Sequence, residues 1–571
     1  MSFSRVAVAA LLVLLAPGLV LAEGRPKEAQ QAIQNDPVLS ALSAELAHLQ
    51  EGLGALDPPP FYIALTVTET HSDRATGGFG AITGAGTHVR RFVTVDVRVG
   101  SPRVDNTHPV RGPWGRSRSS SGVVPIDNDI PALRRAIWRE AEAVYRTGVE
   151  RLGQVQANVD VKAAEEDQTG DFVASAPIVH LDDVLPPRLL GEETASQLAE
   201  WSAPFAVPEW LFTNIVARSA TTDTRWFVNT EGSVVRTSDR YDRLQLYAEA
   251  LADDGMQLPA YRVWFWRAQG DGPEAADVVA AVEDMTSILT AMRDAPVAEP
   301  STVPAILSGS AAGVFFHEVL GHRLEAHRQK DEHEGQTFRN RVGTRVTSPG
   351  LSVVFDPTLR EFDGEELSGY YSVDDEGVGS RRVVAVDDGI LRSFLVGRRP
   401  VEGFIGSNGH GRAQAGRQAT ARQSNMLISV ADPVSMKALE AQLIAELVAT
   451  GKPYGLVFER VRGGFTLTGR TRPNSFEVLP TEVYRLYPDG RRELVRGVDL
   501  IGTPLAALQR VVAGADETGV FHGYCGAESG WVPVSAVAPA LLLSEIEVQK
   551  KPKEQEQAPV LQAPPSKGGA S

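Results

Sequence analysis

Val314-Phe-Phe-His317-Glu318-Val-Leu-Gly321-His322-Arg-Leu-Glu325 places two imidazoles and a carboxylate inside one apolar segment that otherwise has the character of a helix. Neutral imidazole nitrogens bind Zn²⁺, and a glutamate beside them that is not itself a ligand can accept a proton from the water that attacks a carbonyl. In His-Glu-x-x-His the two histidines lie about 40° apart around a regular helix, whereas a separation of five residues puts them about 140° apart, too far to share one ion. A one-residue bulge restores the common face, and such insertions recur at functional sites. Gly321, directly before His322, is the residue best able to absorb it. Glu318 adjoins His317 and so points to a different side of the helix, which suits a base and not a ligand. The bland alternative is a buried helix whose two histidines are close by accident.

Working outward, His317, His322, His327 and His333 are four of only eleven histidines. His327 and His333 stand in a charged stretch with Asp331, Glu332 and Glu334 and are expected at the surface. Glu325 follows His322 by three residues, a spacing at which a helical carboxylate can reach the same ion. A catalytic zinc with one open position needs a third ligand, for which a thiolate is a normal choice. The sole cysteine, Cys525, lies far downstream between Tyr524 and Gly526. Taken by itself it fits a buried small apolar residue equally well.

In order along the chain, the histidine–glutamate motif, Val373-Asp-Asp-Glu-Gly377, Asn408-Gly-His410-Gly-Arg412 and a late Cys525-Gly before Val532-Pro-Val534 resemble the TldD/PmbA metallopeptidases over most of residues 60–548. The resemblance implies zinc, one ion per chain, held by His317, His322 and Cys525, with Glu318 as general base. The PmbA type lacks the His-Glu motif, so this chain resembles the catalytic, TldD type. The resemblance also implies an active site enclosed in a dimer, with a second copy or with a related subunit lacking the motif, so that short or unfolded peptides are the substrates. Ser407 to Gln418 carries His410 and extra small residues where some relatives are more basic, so substrate preference does not carry over. Asn408, Gly409, His410 and Arg412 form a Gly-rich loop that could hold a substrate carbonyl or carboxylate, though a plain turn reads as well. Asp374 and its acidic neighbours read as a carboxylate patch supporting the metal or as a solvated turn.

Arg5, an apolar run from Val6 to Val20 and then Leu21-Ala22 before Glu23 have the pattern of a secretory signal peptide cut after Ala22. The run is shorter than the roughly 20 residues that span a bilayer, and no later segment is long and apolar enough, so export without stable membrane insertion is expected, to the periplasm or beyond. A formal charge of −16 argues against nucleic acid as a partner. One cysteine makes no internal disulfide, which in an oxidising compartment leaves a metal ligand or a buried thiol.

With 571 residues and 43% hydrophobic content the chain can build more than one core. After the leader, residues 23–59 are a polar lead and a helix with Val38, Leu39, Leu42, Leu46 and Leu49 on one face, ended by Pro58-Pro-Pro60. Residues 60–295 read as one sheet-and-helix domain. Its strands are expected at Tyr62 to Thr68, Arg91 to Val99, Trp226 to Asn229, Ser233 to Thr237 and Gln245 to Glu249, and its helices at Pro131 to Leu152 and Ala275 to Met292. Pro296, Pro300 and Pro304 mark the joint. Residues 305–548 read as a β-rich domain carrying the metal helix, which Gly309-Ser-Ala-Ala-Gly313 enters by a tight turn. Its short strands are expected at Ser352, Arg381, Leu391 to Val396, Gly455 and Glu482, with one helix from Val434 to Thr450. Residues 549–571 have a disordered composition. The fold class is therefore α+β in two domains, and the expected activity is zinc-dependent peptide hydrolysis. The competing reading is an exported binding or maturation factor with a structural metal.

Overall fold

The alternation at Tyr62 extends well beyond its clearest residues, into a strand Pro60–Gly78 paired antiparallel with Ala81–Val99 along its length. The chain reverses at Phe79-Gly80, both at positive φ (51° and 79°), as a tight two-residue hairpin demands. The computed structural model describes residues 26–110, 120–159, 167–267, 272–470 and 474–551.

A second long hairpin, Leu211–Asn229 with Val234–Leu251, joins the first through Pro60–Gly78, and Gln257–Arg267 adds to its far side. With Ser120–Val123 and Val179–Leu181 these make a seven-stranded sheet. One part of the face turned away from the second sheet lies under the helices Pro37–Gly54 and Ile130–Val159, in a core that includes Val67, Val93, Val95 and Ile137. Another part lies under Glu192–Ser202 and Ala275–Asp294, with Leu246, Leu198 and Leu289. The first of these helices starts where Asp36 accepts hydrogen bonds from the amides of Val38 and Leu39, with Pro37 at its first position. Its expected stripe, Val38, Leu39, Leu42, Leu46 and Leu49, is buried throughout.

The second sheet has eleven strands. Its organising member is Gly530–Lys550, which pairs with Val511–Ala527, Ser301–Leu307, Val498–Gly502 and, in parallel, Asn425–Val430. Neither Val511–Ala527 nor Gly530–Lys550 is foreseen as a strand in the sequence, because glycines interrupt the first and Pro533 and Pro539 the second. Pro304, read as part of the joint, lies inside Ser301–Leu307, whose Ala305, Ile306 and Leu307 are wholly buried. Of the expected strand Leu391 to Val396, only Ile390–Leu391 is a strand. Leu395 leaves it to pair with the chain after the motif, its amide donating to the Leu324 carbonyl at 2.8 Å and its carbonyl accepting from Ala326 at 2.9 Å. The expected helix is Met436–Thr450, capped by Ser435 and closed by Gly451 at φ 65°. The last strand reaches Lys550, two residues into the expected tail. The expected leader and the tail from 552 onward lie outside the described residues, and no described helix is long and apolar enough to cross a membrane.

Buried charge joins the two halves. Arg398 of the second half, almost wholly buried, pairs with Glu231 and stacks on Tyr62 and Phe172 of the first. Arg225 of the first sheet pairs with Asp375 and donates to the Val373 carbonyl at 2.9 Å.

Candidate metal centre

Ser308 begins the motif helix by accepting from the Ala311 amide at 3.3 Å, and the helix runs Gly309–Val319. Its glycines lie in its first turns and do not form a turn before it. A Cβ on Gly309 would stand 2.3 Å from the Gly519 nitrogen and 2.6 Å from the Ala538 oxygen, so glycine lets the helix lie directly on the strands beneath. The helix carries no bulge. It stops at Val319, Leu320 departs to φ −113°, and Gly321–Leu324 winds as a 3-10 turn. Arg323 makes that stop possible, since its Nη1 donates to the Glu318 carbonyl at 2.6 Å and the Val319 carbonyl at 3.3 Å, groups that a helix end leaves without partners. Gly321 serves by its lack of a side chain: a Cβ there would stand 2.0 Å from the Gln423 amide oxygen.

With the regular helix ended, the two histidines converge. Their ring centroids are 5.0 Å apart and their planes perpendicular. Val511–Ala527 brings Cys525 to them, its Sγ 3.4 Å from His322 Nε2. One donor atom each from His317, His322 and Cys525 lie within 4.8 Å of one another, and all three residues are buried. Tetrahedral zinc with bonds of about 2.0–2.3 Å sets its ligand atoms roughly 3.3–3.8 Å apart, so two imidazoles and a thiol in this cluster suit that ion. Burial by itself raises a thiol, but the imidazoles of His322 and His317 outweigh it and hold Cys525 well below its usual range, toward the thiolate a metal needs.

Glu325 does not compete for the ion. Its carboxylate is 3.3 Å from His322 Nδ1, the ring nitrogen turned away from Cys525, which fixes the ring and leaves Nε2 to the site. Burial opposes its charge, yet His322, Arg328 and Arg422 together take Glu325 down to about 2. Arg422, without solvent exposure, donates to the Cys525 carbonyl at 2.5 Å and to Ser529 at 2.7 Å, and forms an ion pair with Glu325 at 3.3 Å. Arg328 bonds Glu325, Glu334 and Glu528. His327 is not at the surface: it is buried against Glu528, because the short helix His327–Lys330 turns inward under the Cys525 strand. His333 is exposed as expected.

Glu318 does not point away from the donors. Its carboxylate lies 4.0 Å from His322 Nε2, since the break at Leu320 swings His322 toward it. Its Oε2 is buried and has no hydrogen-bond partner among the described residues. Burial raises its pKa despite the nearby histidines, the setting of a proton acceptor. Glu318 and His317 line a cleft of about 340 Å³, whose other walls include Arg243 and Tyr261 from the first sheet and Arg462, Tyr524 and Trp531 from the second.

The loop after Ser407 is mostly scaffold. Asn408 accepts from the Val396 amide and donates to the Phe394 carbonyl, both at 2.8 Å. Gly409 sits at φ 76° against the Gly379 carbonyl. His410 is fully buried between Asn408 and Ser424, and burial brings it down to about 3. Of the four, Arg412 lines a second cavity of about 580 Å³ between the sheets, while its Nη1 donates to the carbonyls of Gln423 and Pro533. Asp374 is not a solvated turn. It is buried, accepting from the amides of Glu376, Val378 and Gly411. Arg422 and Gln423, the latter 3.4 Å from His317, went unseen because Arg422-Gln-Ser-Asn425 reads as an exposed loop, yet all four have no solvent exposure.

Residues 300–550 match the PmbA/TldA metallopeptidase C-terminal domain. The chain is 30% identical over 258 residues to a Haemophilus influenzae protein named metalloprotease TldD homolog, covering 44% of this chain and 49% of that one. It is 28% identical over 268 residues to a metalloprotease of Archaeoglobus fulgidus, 45% of this chain and 56% of that one. It is 26% identical over 253 residues to a zinc metalloprotease TldD homolog of Saccharolobus solfataricus, 43% and 51% of the two chains. The chain thus spans about half the length of these curated relatives. In fold it is similar to TldE from Thermococcus kodakarensis, with a TM-score of 0.59 and 13% identity over 89% of this chain and 100% of that one. A Thermotoga maritima protein titled a putative modulator of a DNA gyrase gives a TM-score of 0.57 at 13% identity, over 88% and 99% of the two chains. Residues 300–550, the part of the chain that carries the donor cluster, are thus similar to the TldD/PmbA metallopeptidases.

Proposed function

We propose that this chain is a member of the TldD/PmbA family and a zinc-dependent peptidase that hydrolyses short or unfolded peptides. One observation supports the reading above the others: three buried donors, His317, His322 and Cys525, cluster beside a buried glutamate oxygen that has no partner among the described residues. Zinc, when bound, supplies Lewis acidity to the scissile carbonyl and lowers the pKa of water to about 7. Glu318 accepts the proton of the attacking water and returns it to the leaving amine. Glu325 holds His322 in the required tautomer, and Arg422 keeps the Cys525 strand and Glu325 in register. Export after cleavage at Ala22, and a dimer that encloses the site, belong to the same proposal. They rest on the amino-terminal pattern and on the family resemblance.

The test compares wild type with Glu318→Gln, measuring bound zinc and cleavage of an unstructured peptide on the same samples. Zinc should be kept and hydrolysis should fall by about two to four orders of magnitude, the usual share of general-base catalysis. Retained activity would assign the base elsewhere. Zinc in both proteins with cleavage by neither would make the chain a non-catalytic binding factor.

A further inference from the structure

The charge around the cleft beside Glu318 is lopsided. Glu318 is the only carboxylate among its lining residues, and it faces two guanidiniums, Arg243 from Val234–Leu251 and Arg462 from Gly455–Leu467. Arg243 is held in place without being neutralised: its Nη2 donates to the Tyr261 hydroxyl at 2.6 Å and its guanidinium lies over the Tyr524 ring at 5.4 Å. It has no carboxylate partner among the described residues, although the chain carries a net charge of −16 and two buried arginines of the centre, Arg328 and Arg422, are each paired with acids. Arg462 is exposed, and its side chain has no hydrogen bond or ion pair among the described residues.

Two guanidiniums beside a metal centre attract an anion and repel an ammonium group, and the planar fork of arginine matches a carboxylate with two parallel hydrogen bonds. Tyr524 and Trp531 border this cleft and also the cavity of about 580 Å³, so the two spaces adjoin across those rings. The smaller is lined by Glu318 and His317, and the larger runs between the sheets with a mixed lining that includes Thr66, Thr68 and Tyr371.

We propose, resting on the metallopeptidase reading above, that Arg243 and Arg462 bind the free C-terminal carboxylate of the substrate peptide. The preceding residues then lie in the larger cavity, and the chain trims peptides from the carboxyl end. The chemistry remains hydrolysis of one amide. The water oxygen bonds to the carbonyl carbon, the C–N bond breaks, and the proton held by Glu318 passes to the nitrogen of the departing C-terminal fragment. Arg243 and Arg462 are specificity residues and touch only the terminal carboxylate.

The experiment uses the zinc-loaded full chain and two unstructured peptides identical except for a free or an amidated C-terminus. The free acid should be cut with kcat/KM about ten- to a hundredfold higher, the range expected of a charge-assisted hydrogen bond, and mass spectrometry should show loss from the carboxyl end. Arg243→Gln and Arg462→Gln should each raise KM for the free acid about tenfold, leave the amide almost unchanged and keep zinc. Equal cleavage of the two peptides, or products trimmed from the amino end, overturns the inference while leaving the hydrolytic reading intact. Binding of both peptides to Glu318→Gln, measured by calorimetry, keeps the two questions apart. Tighter binding of the acid supports the carboxylate site even if no peptide is cut, and equal binding removes it.

Discussion

Arg422 donates from Nη2 to the carbonyl oxygen of Cys525 at 2.5 Å, so the strand that delivers the thiol is held by a side chain from a different strand junction. The same guanidinium pairs with Glu325, which in turn holds His322. Arg422→Met should therefore weaken zinc about ten- to a hundredfold without touching a donor atom, the usual cost of losing a residue that orients ligands. Competition with a chelator measures it, with circular dichroism as the check on folding. Unchanged affinity would reduce Arg422 to a packing role.

Purified protein should hold about one zinc per chain. Cys525→Ala should lose most of it. His333→Ala is the matched control, since His333 is exposed, whereas His327 is tied to Glu528 and its loss would disturb the Cys525 strand. Equal zinc in wild type and Cys525→Ala would take the thiol out of the site.

Gly321→Ala sets a methyl group 2.0 Å from the Gln423 amide oxygen. Either the turn or the amide must move, at a cost of about 1–3 kcal/mol as for other overpacked sites. Thermal unfolding should show the loss, and Gly321→Ala combined with Gln423→Ala should recover part of it. A double variant no more stable than Gly321→Ala would place the strain elsewhere.

Burial holds the His410 imidazole neutral down to about 3, whereas in the unfolded chain it titrates near about 6.5. Between those values the unfolded state binds a proton that the folded state does not. Its contribution is therefore fully present above about pH 6.5 and is lost as pH falls, by about 1.4 kcal/mol per pH unit. His410→Gln removes that proton from the balance, so urea denaturation at stepped pH should give a shallower acid decline. Matching slopes would mean that His410 takes up its proton inside the fold.

How far the sequence led depended on the kind of signal. Elements with a strong period were legible: Val38 to Leu49 as one helical face, the Tyr62 and Arg91 strands, and Val434 to Thr450. The strand Gly530–Lys550 was not, because its burial on both faces removes alternation and Pro533 and Pro539 imitate a loop. At the site, the motif spacing and the single cysteine singled out the residues that cluster. The way the spacing is reconciled was not legible. A bulge and a helix stop answer the same five-residue problem, and what selects the stop is Arg323 on the last carbonyls and Gln423 against Gly321, both tertiary contacts. Arg422 and Gln423 illustrate the general difficulty, since polar residues buried by partners far away in sequence look identical to polar residues in water.

His322 and Cys525 are 203 residues apart, and the strand that follows Cys525 returns to pair with Ser301–Leu307, immediately before the motif helix. During synthesis from the amino end, His317 and His322 emerge long before their third partner exists. The strand that seats the helix also comes afterwards. A growing chain therefore has no complete site until Val511–Ala527 and Gly530–Lys550, the last two described strands, have been made. Under the proposed peptidase activity, the order of its own translation acts as a safety catch, keeping the chain idle while it is itself unfolded.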